Sequence, residues 1–257
     1  MCRAIKTFFK SIAVAFSIYS RIPMPRFDWG SDDMKYHLIF FPWVGAIIGG
    51  LGYIWVMISE RLMVHDMTRV LVLIAIPLLV TGGFHVDGFM DTCDALKSYG
   101  DREKKLEILK DPHIGAFSVI CLVTYLLVLI AGMGEIYGDA FIVLAIVPAM
   151  VRSVSAMVIT AMKPAKKDGM LKASSDSAVP VIVLPVLILT FFACLTGMIL
   201  ADYRLTAAVM VAEILWFSYF YRMCMKQFGG VTGDLAGYYV TTSELVAVIV
   251  LAVMCVL

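Results

Sequence analysis

Seven apolar runs divide this chain, at 36–58, 69–84, 114–134, 138–162, 179–201, 205–225 and 236–257, with short polar segments between them. A helix needs about 20 mostly apolar residues to cross the hydrocarbon core of a bilayer. The expected fold is therefore all-α: a polytopic integral membrane bundle of about seven transmembrane helices. Composition agrees, since 61% of residues are hydrophobic and 16% charged, against about 45–50% apolar and 25% charged in a soluble domain. The run at 69–84 is short for a span. It is expected to continue helically through the polar segment that follows, carrying its carboxylates to or just past the membrane surface.

The first 35 residues stand apart from the 36–257 bundle as an N-terminal segment. "MCRAIKTFFKSIAVAFSIYSRIPMP" has basic residues and a modest apolar stretch, but Arg21, Pro23 and Pro25 stand where a cleavage site would be expected. No cleaved signal peptide is expected. Residues 4–20 read as an amphipathic helix at the membrane interface, with a re-entrant segment as the alternative. No repeat, linker or low-complexity tract divides the chain, so residues 1–257 read as one membrane domain. The six cysteines, at 2, 93, 121, 194, 224 and 255, form no CxxC and read as small buried hydrophobes.

Basic residues set the expected orientation. Arg3, Lys6, Lys10, Arg21, Arg26 and Lys35 precede the first run. Lys97, Arg102, Lys104, Lys105 and Lys110 follow the second, Lys163, Lys166, Lys167 and Lys172 the fourth, and Arg222 and Lys226 the sixth. These alternate segments hold 17 of the 21 Lys and Arg residues. The opposite loops hold Arg61, Arg69 and Arg204, and Arg152 lies inside a run. The positive-inside rule then puts the N-terminus in the cytoplasm and the C-terminus outside. It also puts every polar cluster, at 85–113, 163–176 and 229–244, on the cytoplasmic face. A transporter would keep such groups near the midplane; a membrane enzyme with cytosolic substrates would gather them at one surface.

The densest cluster is "TGGFHVDGFMDTCDAL", residues 81–96, with His85, Asp87, Asp91 and Asp94. At about 100° per residue the three aspartates fall within roughly 60° of one another on a helix. Like charges on one face repel unless water or a cation separates them. Oxygen donors without cysteine partners suit Mg²⁺ or Mn²⁺, and a cation so held commonly serves phosphoryl chemistry. A solvated helix end is the plainer reading. Gly82 and Gly83 break the helix just before the cluster and Gly88 leaves space within it. His85 lies about 160° from Asp87 and reads either as a ligand or phosphate contact or as a satisfied interfacial histidine.

Other candidates are sparser. In "KDPHIGAF", Asp111 caps a helix started by Pro112, or works with His113 at a site. In "FGGVTGDLAGYY", Gly229, Gly230 and Gly233 form a flexible turn with Asp234 as its cap, or cradle a phosphate on backbone amides. Glu244 is expected near the interface. Arg152 needs a partner or a water-filled cavity: a carboxylate such as Glu213, or a substrate phosphate. The lysines at 163, 166, 167 and 172 are topology signals or attract a polyanion. Gly45 and Gly49 form a GxxxG helix-packing pair.

"SRIPMP", "FPWVGAIIGG", "GGFHVDGFMDTCDAL", "ILKDPHIGAF" and "GGVTGDLAGYY…SE" follow one another from about residue 20 to residue 244. In this order they resemble the cobalamin synthase family, the adenosylcobinamide-GDP ribazoletransferases. The resemblance implies an enzyme of the bacterial inner membrane that joins adenosylcobinamide-GDP to α-ribazole or its 5′-phosphate. The products are adenosylcobalamin, or its 5′-phosphate, and GMP. The reaction requires Mg²⁺. It implies Asp87, Asp91, Asp94 and Asp234 as metal ligands, and Asp87, Asp91, Asp94 and His85 as catalytic groups. It implies substrate contacts from Asp111, His113, Arg152, Lys166, Gly229, Gly230 and Gly233. Lys166 stands where the family pattern would put an arginine, which keeps the charge but not the bidentate fork. The bilayer is the expected partner, with no nucleic acid, and assembly of identical chains is compatible with the sequence. Another membrane alcohol phosphotransferase would share the chemistry. However, the D-G-x-x-A-R block expected of that family is lacking: Thr92 and Cys93 follow Asp91, and no arginine follows. A cation or metabolite transporter is the other alternative.

Overall fold

The computed structural model describes residues 2–25, 28–165 and 170–257. Every regular element among them is helical, apart from an isolated bridge between Pro164 and Val231. Helix α1 (Cys2–Tyr19) leads through two 3₁₀ turns, Ser31–Met34 and His37–Phe40, into α2 (Phe41–Arg61). Then come α3 (Asp66–Thr81), α4 (Phe84–Lys97), α5 (Arg102–Ile108), α6 (Ala116–Gly134) and α7 (Ala140–Ala161). They are followed by α8 (Met170–Ser177), α9 (Pro180–Ala201), α10 (Tyr203–Met223), a π turn (Cys224–Phe228) and α11 (Gly233–Val256). Lys166 lies outside the described residues.

Six of these helices are long and apolar enough to cross a bilayer, and a seventh span arises if α3 and α4 count as one. The outward faces of α6 and α9 are apolar, with Ile120, Leu127, Val181, Leu189 and Leu200 exposed. Such a surface suits lipid and would be a liability in water. The chain is a polytopic helical membrane protein.

One expectation is overturned. The second apolar run does not continue helically through the aspartate segment: α3 and α4 meet at 93°. Gly82 and Gly83 adopt φ of +66° and +79°, in the left-handed region where a side chain is strained. The Gly83 N–H reaches back to the Leu78 carbonyl at 3.1 Å, closing α3. The aspartates therefore sit on a separate helix, turned across the end of the bundle.

Helix packing follows the small residues. A Cβ on Gly49 would lie 1.7 Å from the Ala145 carbonyl oxygen, and one on Gly45 would lie 2.3 Å from that of Pro148. The GxxxG pair thus seats α2 directly on the backbone of α7. The N-terminal segment expected to be helical over 4–20 forms α1. It exposes Phe8 and Phe9 and buries Ser11, Val14, Ala15 and Tyr19. Lys10 pairs with Asp33 at 3.1 Å, fixing α1 to the first 3₁₀ turn.

The polar segments meet at one end. The Val179 N–H donates to the Lys35 carbonyl, and residues 163–165 and 231 exchange two backbone hydrogen bonds. Lys105 Nζ donates to Gln227 at 2.5 Å, tying α5 to the π turn. The segments richest in basic residues are thereby knit into one face of the bundle.

Candidate active site at the crossing of α4 and α11

Two glycines let α4 and α11 touch backbone to backbone. A Cβ on Gly88 would lie 2.8 Å from the Asp234 carbonyl oxygen, and one on Gly237 would lie 3.0 Å from that of His85. Phe89 stacks on Tyr238, with ring centroids 5.8 Å apart, and closes the contact on one side. Asp234, 147 residues after Asp87 in sequence, is thereby held beside the aspartate helix. Asp87 is exposed, and Asp91 and Asp234 are half-buried. Asp234 was open to reading as the cap of the last helix, but Thr232 does that work. Its Oγ1 accepts the Leu235 N–H at 3.2 Å, and its hydroxyl donates to Asp234 Oδ2 at 3.3 Å.

Asp94 faces the start of α6. Its two oxygens accept the N–H groups of Gly115 and Ser118, each at 2.9 Å. A Cβ on Gly115 would lie 2.5 Å from those oxygens. The helix once expected to begin at Pro112 under an Asp111 cap instead begins at Ala116, capped from α4. Asp111 turns back on itself, accepting the His113 N–H at 3.0 Å and lying 2.6 Å from its ring Nδ1. The pair is exposed, and these hydrogen bonds hold the Asp111 carboxyl below its ordinary pKa.

The glycine stretch divides by environment. Gly229, at φ +75°, ends the π turn under the Arg102 guanidinium, and Gly230 rests on the Lys163 carbonyl. Only Gly233 of the three has open space around it. With Tyr19, Phe41, Phe84, His85 and Ser155 it lines a cavity of about 60 Å³ at the crossing.

Arg152 is 1% exposed. Its partner is Glu244, at 2.5 Å, with the Pro148 carbonyl at 3.0 Å. The suggested Glu213 pairing fails because Glu213 accepts from the Ser243 hydroxyl on the same helix as Glu244. Glu244 is not near the interface: it lies ten residues, roughly 15 Å, along α11 from Asp234. A smaller cavity of about 30 Å³ lies there, lined by His85, Tyr125, Arg152, Thr241 and Glu244. Tyr19, Ser155, Thr232 and Thr241 were missed by sequence reading. Lone hydroxyls in or beside apolar runs carry no spacing signal; only the packing brings Tyr19, Ser155 and Thr241 to cavities that His85 lines, while Thr232 bonds its own neighbours Asp234 and Leu235.

The model of one protein family, cobalamin-5-phosphate synthase, matches residues 11–252. This chain belongs to that family. A Lachnoclostridium phytofermentans protein named adenosylcobinamide-GDP ribazoletransferase is 35% identical over 92% of this chain and 91% of its own. A protein of the same name from Clostridium perfringens strain 13 is 31% identical over 97% of this chain and its whole length. Another, from Pseudomonas syringae pv. syringae, is 32% identical over 87% of this chain and 90% of its own. No solved structure matches the chain.

In this member of the cobalamin-5-phosphate synthase family, no three His, Cys, Asp or Glu side chains among the described residues form a ready metal cage. Mg²⁺ seldom uses one, and commonly takes one or two carboxylates with waters and substrate phosphates. Asp87 and Asp91 stand one turn apart, with Asp234 across the Gly88 contact. These hard oxygen donors fit that cation. Asp94 has both oxygens engaged by α6.

Proposed function

We propose that this chain is an adenosylcobinamide-GDP ribazoletransferase of the bacterial inner membrane, with the α4–α11 crossing open to the cytoplasm. A ribose hydroxyl of α-ribazole, or of its 5′-phosphate, forms a bond to the cobinamide-side phosphorus of the pyrophosphate. The bond from that phosphorus to the bridging oxygen breaks, and GMP leaves with the electron pair. The hydroxyl proton passes to Asp87 or Asp91. Mg²⁺ held by one or two of Asp87, Asp91 and Asp234, with waters and substrate phosphates completing its shell, would offset charge on the pyrophosphate and the departing GMP. Thr232 steadies the Asp234 carboxyl, and the basic loops around the crossing attract the polyanionic substrate.

The reading rests on one observation above others. Gly88 brings Asp234 against the Asp87–Asp91 helix at the basic end of the bundle, in a chain whose relatives carry this enzyme's name. Purified protein in lipid nanodiscs tests it. With adenosylcobinamide-GDP and α-ribazole, chromatography should show a cobalamin product and GMP in equal amounts. Uptake of a metabolite by vesicles with no GMP formed would replace the reading with transport.

A further inference from the structure

Three residues that line the inner cavity each have a buried polar atom without a protein partner, His85 Nε2, Arg152 Nε and Thr241 Oγ1, whereas the outer cavity adds only Ser155 Oγ to His85 Nε2. The three residues are 5%, 1% and 2% exposed and come from α4, α7 and α11. All three line the cavity of about 30 Å³ that Glu244 and Tyr125 also line. Phe41 packs against both His85 and Arg152: its ring centroid is 5.5 Å from the imidazole's and 5.9 Å from Arg152 Cζ. A buried polar atom left without a partner costs about 1–3 kcal/mol, so three around one space call for an occupant. A water needs roughly 10–15 Å³ and two to four polar partners, and this cavity provides both.

We propose that one structural water occupies this cavity, that His85 Nε2 faces it, and that the water thereby fixes His85 as a hydrogen-bond donor from Nδ1 toward the outer cavity. The guanidinium Nε–H can only donate, and the Glu244 carboxylate can only accept. The water then accepts from Arg152 Nε–H and from the Thr241 hydroxyl. It donates to Glu244 and to His85 Nε2. In this pattern every group is satisfied. Were Nε2 to carry the proton, the water would accept from it and from Arg152. The Thr241 hydroxyl hydrogen would then have no acceptor, and two N–H dipoles would converge beside the cation. His85 therefore keeps a lone pair on Nε2 and a hydrogen on Nδ1. Tyr19, Ser155 and Gly233 line the outer cavity with it. In the proposed reaction, whose correctness this last step assumes, His85 donates to an anionic substrate oxygen and is not the base.

Nitrogen-15 NMR of histidine-labelled protein in nanodiscs reads the tautomer without any substrate, and a chain with four histidines gives a simple spectrum. His85→Asn identifies the signal. The expected result at pH 7 is a bare Nε2 and a protonated Nδ1, shifting toward a mixture in Thr241→Val. A protonated Nε2, an imidazolium, or no change in Thr241→Val would overturn the water site. Turnover supplies the second arm. His85→Asn, whose amide can still donate from near the Nδ1 position, should exceed His85→Ala by roughly tenfold or more, the worth of one hydrogen bond to a charged oxygen. Equal loss in both variants would overturn the donor role of His85. Absence of GMP release from the wild type would defeat the reaction proposal while the NMR result still decides the water.

Discussion

Asp87 and Asp94 stand two turns apart on α4 and have different surroundings. Asp94 accepts two N–H groups at the start of α6, while Asp87 is exposed beside Asp234. Asp94→Ala should lower stability by about 1–2 kcal/mol, the usual worth of a helix cap, seen as a reduced melting temperature. Asp87→Asn should leave melting near the wild type and reduce turnover roughly 10²-fold or more. Equal melting and equal turnover in the two variants would mean the division of labour is wrong. Arg152 and Glu244 carry a sharper stability prediction. Glu244→Gln leaves a buried guanidinium without its counter-charge, a loss of about 3–5 kcal/mol, and should reduce the folded fraction recovered in detergent. The need for a partner to Arg152 was legible from an arginine in an apolar run. Its identity was not, because Glu213 and Glu244 lie on different helices and only the packing decides which one faces it.

At the scale of the element, glycines set the geometry that the carboxylates use. Gly88 contributes no functional group, yet Gly88→Ala would drive a methyl to 2.8 Å from the Asp234 carbonyl oxygen. Parting α4 from α11 should cost about 1–3 kcal/mol, as overpacking does, and reduce turnover more than Asp94→Ala does. Turnover near the wild-type level in Gly88→Ala would show that the close crossing is not needed. The spans were readable because a bilayer demands long apolar runs, and Gly82 and Gly83 marked a break, though the second run was still expected to continue helically past it. The 93° direction of the bend was not, since two left-handed residues end a helix without saying where the next one points. The Asp94 cap was also hidden: donor and acceptor lie 21 residues apart, beyond any local capping pattern.

For the whole molecule, the basic segments around α5, the π turn and the 163–165 bridge form one face, and the candidate site opens there. By the positive-inside rule we propose that this face is the cytoplasmic one. A cysteine placed at Ser98 should be labelled by an impermeant maleimide only from the cytoplasmic side, and labelling from the opposite side alone would invert the molecule. The function was legible because the motifs occur in order along nearly the full chain; the role of His85 was not, because it depends on an arginine and a threonine from two other helices. The most direct measurement is GMP release from adenosylcobinamide-GDP by nanodisc-embedded wild type, Asp87→Asn and Asp91→Asn, with α-ribazole present and Mg²⁺ varied. The expected result is Mg²⁺-dependent release by the wild type and almost none by either variant. Release at the wild-type rate in both variants, or release indifferent to Mg²⁺, would contradict a carboxylate-held cation at the crossing of α4 and α11.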